Sequence, residues 1–186
     1  MTKVIGVRAT NGGGKTHVVR EVMRITDPYF QKKVKLSNSV LINVYDNFVV
    51  LGSYDRACGG CDTIKTPALV WDSIMECAEH KHVLFEGILV GTVYQPTMDL
   101  VERLKTIDAT YIPVCLDTSF EQSVANVNSR RAEAGKGEIE KLVNIETNYK
   151  KHISSAKKLK EAGLNPHWVS AEEAINIILR EFGYAN

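Results

Sequence analysis

Eight residues near the start of the chain, Ala9-Thr10-Asn11-Gly12-Gly13-Gly14-Lys15-Thr16, constrain its fold more than any others. A short apolar run, Lys3 to Ala9, leads into them, and the stretch from His17 to Ile25 then places apolar residues at Val18, Val19, Val22, Met23 and Ile25. Strand, glycine-rich loop and helix in that order form a phosphate-binding loop. Glycines let backbone amides turn inward around an anion, and the following helix directs its positive end at the same point. Asn11, Gly12, Gly13, Gly14, Lys15 and Thr16 are therefore the candidate nucleotide contacts, with Lys15 reaching the β- and γ-oxygens of ATP and the Thr16 hydroxyl ligating magnesium. The consensus loop has glycine where Ala9 stands, so the loop's shape is open at this point. A flexible glycine turn with an accidental lysine is the bland alternative, and the strand-loop-helix setting argues against it.

The rest of the chain repeats the alternation. Asp27-Pro28 should stop the first helix, because a residue before proline avoids helical geometry. From Lys33 to Tyr54 the sequence is β-branched and aromatic, broken by turn formers at Ser37-Asn38-Ser39 and Asp46-Asn47, which predicts two or three adjacent strands. Thr66-Pro67 opens a helix to about Lys81 as N-cap and N1 proline. A buried strand over 82–89, a helix over 95–105, a strand over 111–116 and a helix over 119–134 follow. A long polar helix over about 138–162, a short strand at Trp168-Val169 and a helix over 171–182 complete the chain. Trp71 and Trp168 fall in apolar patterns and read as core.

Strands separated by helices of this length form parallel βαβ units, so the expected fold is α/β, a three-layer P-loop NTPase fold. Its central sheet should be mainly parallel, with an antiparallel strand excursion at Lys33 to Tyr54 and a small helical lid at about 126–140. At 186 residues, 44% apolar and 24% charged, a single domain over 1–186 can bury a core unaided. No run approaches the roughly 20 apolar residues of a membrane helix. The N-terminus enters a strand pattern at once, so the expected location is the cytoplasm. Lys plus Arg exceed Asp plus Glu by 23 to 22, so any attraction to nucleic acid has to be local. The lysines of the penultimate helix, Lys150, Lys151, Lys157, Lys158 and Lys160, are one local source of such charge, although a solvated face is the preferred reading of them.

Three further groups bear on chemistry. Glu86 ends an apolar strand, where it would hold magnesium through water or orient a nucleophile. The loop after Leu51 carries Asp55 and Asp62, either of which could accept a hydroxyl proton; Asp62 is preferred because Gly59 and Gly60 before it permit close approach. Cys58 and Cys61 lack the partners of a zinc site and read as small packing residues. Arg130 and Arg131 end a helix just before Gly135-Lys136-Gly137, the setting of a lid that neutralises transferring phosphate.

The glycine-rich loop to Thr16, the strand ending at Glu86 and the arginine-bearing segment after Leu116-Asp117-Thr118 resemble the nucleoside monophosphate kinase-like superfamily of P-loop kinases. Within it, the Gly-Gly-Gly-Lys-Thr loop together with Leu51-Gly52-Ser53-Tyr54 and Gly59-Gly60-Cys61-Asp62 is similar to the bacteriophage kinases that phosphorylate 5-hydroxymethyluracil in DNA. The resemblance implies an ATP- and Mg2+-dependent phosphotransferase with an alcohol acceptor, DNA containing a modified pyrimidine as partner, and the host cytoplasm as its location. It also implies that Tyr54, Asp55 and Arg56 lie on the acceptor side, steadying a base turned out of the duplex. Two rivals share the same phosphate-handling residues: a kinase of nucleosides, nucleotides or other small molecules, and a P-loop ATPase or switch that is not a kinase.

Overall fold

A computed structural model describes residues 1–55 and 59–184. Their elements are β1 (Thr2–Arg8), α1 (Lys15–Ile25), β2 (Phe30–Lys35), β3 (Leu41–Tyr45), β4 (Phe48–Leu51), α2 (Pro67–Ala78), β5 (His82–Glu86) and α3 (Ile88–Gly91). They continue as α4 (Gln95–Lys105), β6 (Ala109–Leu116), α5 (Phe120–Glu133), α6 (Val143–Glu161), β7 (His167–Val169) and α7 (Ala171–Glu181). The strands make one sheet in the order β2-β3-β4-β5-β1-β6-β7. Pairing from β4 to β7 is parallel, and only β2-β3 and β3-β4 run antiparallel. The expected antiparallel excursion is thus β2 and β3, while β4 joins the parallel sheet.

Alternation along the strands gives the sheet two apolar faces. Val4, Val83 and Phe85 pack with Val70 and Ile74 of α2 and with Leu100 and Leu104 of α4. Ile5, Val7 and Leu84 pack with Val18, Val19 and Val22 of α1 and with Ile177 and Ile178 of α7. This is a three-layer α/β arrangement of the P-loop kind. Its connections leave β1 for one side of the sheet and later return to the other, so the carboxyl end of β1 is a switch point with a crevice above it.

Local chemistry sets the helix ends. Thr66 accepts from the Leu69 amide ahead of Pro67, and Ser119 accepts from the Gln122 amide at the start of α5. At α7 Ser170 and Glu173 form a reciprocal capping box.

Three expectations are corrected. The strand predicted over 82–89 stops at Glu86, because the chain turns helical from Ile88. The long helix begins at Val143 and not near 138, since nothing in the polar stretch before it buries a helical face. Trp168 is 45% exposed and stacks on His152 at the edge strand β7, whereas Trp71 does pack against the core. No helix among the described residues is long and apolar enough to cross a membrane.

Candidate active site

The phosphate loop leaves β1 through Ala9, which is fully buried, and closes on α1 through Gly14 with φ at +89°. Ala9 fits where the consensus has glycine because of its neighbour: a Cβ on Gly13 would lie 2.6 Å from the Ala9 Cβ. The methyl group occupies the space that Gly13 gives up. Gly12, at φ +72°, approaches α5 so closely that a Cβ would stand 2.2 Å from the Ser123 carbonyl oxygen. The loop is fastened from outside as well. Asn126 Nδ2 donates to the Gly12 carbonyl at 2.8 Å, Thr118 Oγ1 to the Gly13 carbonyl at 3.0 Å, and Asn148 Nδ2 to Asn11 Oδ1 at 2.7 Å.

Lys15 is 7% exposed, and its ammonium donates to the carbonyls of Ala9 at 3.2 Å and Thr10 at 2.9 Å. Thr16 Oγ1 donates to Glu86 Oε1 at 2.9 Å, which brings the end of β5 against the start of α1 as the sequence suggested. Glu86 is 1% exposed, and its Oε2 is buried without a hydrogen-bond partner among the described residues. Burial pushes its carboxyl up to about 7, against the opposing pull of the Lys15 charge and the Thr16 hydrogen bond; Asp62 raises it and Arg20 lowers it further. Gly60 makes room for this carboxylate, since a Cβ there would lie 2.6 Å from Glu86 Oε1.

Asp62 sits in a short 3-10 turn, Cys61–Thr63. Its Oδ1 accepts from the Ile88 amide at 2.9 Å, so one oxygen caps α3 while the carboxylate still lines the cleft. That cleft, about 490 Å³, is lined by Asn11 to Thr16 together with Asp62, Glu86 and Arg130.

Other expected residues lie elsewhere. Asp55 is exposed and paired to Lys33 of β2 at 2.7 Å, outside the cleft lining, and that bond holds its carboxyl below the usual range. Arg131 turns from the cleft, with Nε donating to the Gly137 carbonyl at 2.7 Å. Tyr54 packs against the core, and its hydroxyl is buried without a partner among the described residues; burial, then the Glu86 charge, raises its pKa well above the ordinary value. Arg56 and Cys58 lie outside the described residues; Cys61 is buried.

Sequence reasoning missed Arg20, which lines the cleft and donates from Nη2 to the Tyr54 carbonyl at 3.1 Å. Its signal was available, because Arg20 follows Thr16 by four residues and so shares its helical face. Asn126 was legible only as part of a lid segment; its bond to the loop is a tertiary interaction that spacing does not encode.

The chain is similar to known proteins. A family model described as 5-hmdU DNA kinase matches residues 1–167. A 5-hmdU DNA kinase of Pseudomonas phage PaMx11 is 30% identical over 176 residues, 87% of this chain and 87% of that protein. One from Delftia phage PhiW-14 is 25% identical over 173 residues, 87% of this chain and 65% of the relative. One from Pseudomonas phage M6 is 29% identical over 140 residues, 69% of this chain and 72% of the relative.

Proposed function

The chain belongs to the 5-hmdU DNA kinase family, and from that premise we propose that it transfers the γ-phosphate of ATP to the hydroxymethyl oxygen of 5-hydroxymethyluracil in DNA. The observation that carries the site assignment is the Glu86 carboxylate: buried in the cleft lining that also holds Asp62, bonded through one oxygen to Thr16, and without a hydrogen-bond partner at the other among the described residues. A buried acceptor without a donor costs free energy unless something binds there, and the oxygen donors Glu86 and Thr16 suit a hard divalent cation. Magnesium held by these two residues would neutralise charge on the β- and γ-oxygens.

The remaining steps fall to the chain. Backbone amides of Gly12 to Thr16 hold the phosphates, and the Lys15 ammonium exchanges the Ala9 and Thr10 carbonyls for phosphate oxygens. Arg20 and Arg130 line the cleft and stabilise charge on the group in transit. Asp62, anchored through Oδ1, takes the proton of the hydroxymethyl group as its oxygen bonds to the γ-phosphorus and the bond to the β,γ-bridging oxygen breaks, releasing ADP. Asn126, reaching the loop from the proposed lid, couples lid position to phosphate grip.

A second assignment of the base has one observation in its favour, the placement of the Glu86 carboxyl near neutrality. The test is phosphate incorporation from labelled ATP into duplex DNA containing 5-hydroxymethyluracil, with thymine DNA and the free hydroxymethyl nucleotide as controls. Labelling of the modified duplex alone, lost in Lys15→Ala, supports the proposal; labelling of the free nucleotide alone transfers it to a small-molecule kinase. Loss of transfer in Asp62→Asn with ATP affinity retained assigns the base to Asp62, whereas an active Asp62→Asn beside an inactive Glu86→Gln moves it to Glu86.

A further inference from the structure

The phosphate cleft accounts for none of the lysines of α6, and the helix divides them between two surfaces. Lys157 and Lys160 border a depression beside Trp168. Lys150, Lys151 and Lys158 line a separate groove of about 670 Å³, whose opposite wall includes Leu89, Val93 and Tyr94. Residues 151, 155 and 158 follow helical spacing, so this set is one continuous face.

The groove's charge is poorly compensated. Lys150 is paired with Glu146 at an exposed site. Neither Lys151 nor Lys158 forms an ion pair among the described residues, and the Lys158 ammonium stands 5.8 Å from the centre of the Tyr94 ring. Beneath the floor lies Arg8, 1% exposed. Its guanidinium donates to Thr97 Oγ1, Tyr111 Oη, the Val93 carbonyl and Ser155 Oγ, and no carboxylate pairs with it among the described residues. Val93 and Ser155 both line the groove, so an unbalanced cation lies directly under it in a region of weak screening.

The groove also runs into the catalytic cleft. Ile88 lines both, and its amide is the group that anchors Asp62. Asn148, at the groove's other side, donates to Asn11 of the phosphate loop. We propose that this groove binds the phosphate backbone of the acceptor DNA, beside the nucleotide whose base enters the cleft; the inference rests on the DNA-kinase reading above. Backbone contacts of this type position a duplex without reading its sequence, and they weaken as salt rises.

The test compares the wild-type protein, Lys150→Gln/Lys151→Gln/Lys158→Gln, and Lys32→Gln/Lys35→Gln, which removes charge from the far edge of the sheet. Anisotropy titrations use a labelled 5-hydroxymethyluracil duplex between about 50 and 200 mM salt. Every DNA phosphate that a lysine no longer neutralises lowers the slope of log affinity against log salt by about 0.9, so the triple variant should drop by roughly 2 to 3 in slope and by at least about tenfold in affinity. Its KM for DNA should rise, while ATP affinity and transfer at saturating DNA stay at the wild-type level. Wild-type slope and affinity in the triple variant, or an equal loss in Lys32→Gln/Lys35→Gln, would overturn the groove. A wild-type protein that phosphorylates no DNA would instead overturn the reading on which it rests, and the groove with it.

Discussion

Lys15 is the residue whose loss separates phosphate handling from folding. Its ammonium serves the loop and the ligand, so Lys15→Ala is expected to cut phosphate transfer by about 10²- to 10³-fold, the scale of a lost transition-state donor, with little change in melting temperature. The pair Ala9 and Gly13 makes a sharper prediction. Gly13→Ala brings two methyl carbons to 2.6 Å, so it should abolish ATP binding, and adding Ala9→Gly should restore part of it; equal loss with and without Ala9→Gly would show the clash lies elsewhere. The loop was legible in sequence because all its parts are adjacent, but the shape around Ala9 was not, since it depends on packing across the turn. The preference for Asp62 over Asp55 was already legible in Gly59 and Gly60, but the partners of the two were not: Lys33, distant in sequence, claims Asp55, while the Ile88 amide bonds Asp62 at the cleft.

Among the elements, α7 shows how a few polar groups fix a boundary. Ser170 accepts from the Glu173 amide at 3.2 Å and its own amide donates to Glu173 Oε2 at 3.0 Å. Ser170→Ala should cost ~1 kcal/mol, which in a domain of this size lowers the melting temperature by about 2–4 °C and is readable by calorimetry. Such caps are local, and the starts of α2, α5 and α7 were accordingly readable from Thr66-Pro67, from Ser119 and from the helical pattern beginning at Ala171. The start of α6 was not, because its first buried residue, Ile145, gains its meaning only from packing beside Thr10, whose hydroxyl donates to the Ile145 carbonyl at 3.3 Å. Trp168 misled for a similar reason: β7 is the last strand of the sheet, with a strand neighbour on one side only, and stacking on His152 of α6 still leaves the indole 45% exposed.

For the whole molecule, two buried groups set opposing responses to pH. Glu86 has a carboxyl raised from 4.5 to about 7, so the folded state holds the extra proton and stability falls as pH rises through that window. His152 is lowered from 6.5 to about 4, first by burial and then by the Arg8 charge, so the unfolded state holds the extra proton and stability falls as pH drops through 6.5 toward 4. Each shift amounts to roughly 3 kcal/mol at about 1.4 kcal/mol per pH unit. Without nucleotide the wild-type protein should therefore change little in stability between pH 4.5 and 6.5. Glu86→Gln should lose stability on acidification over that range, and His152→Asn should gain it; denaturant midpoints across the range check both signs. The parallel pairing of β1 with β5 carries one more consequence. It sets Val7 opposite Glu86 and so measures out where the carboxylate meets Thr16. Because β5 presents apolar residues to both cores, a strand displaced by one residue would still find packing on each side while delivering Phe85 or Gly87 to the cleft. Single-residue insertions in β5 should yield protein that survives expression and solubility screens yet is inert, so a quality-control system that senses only exposed apolar surface would let them pass.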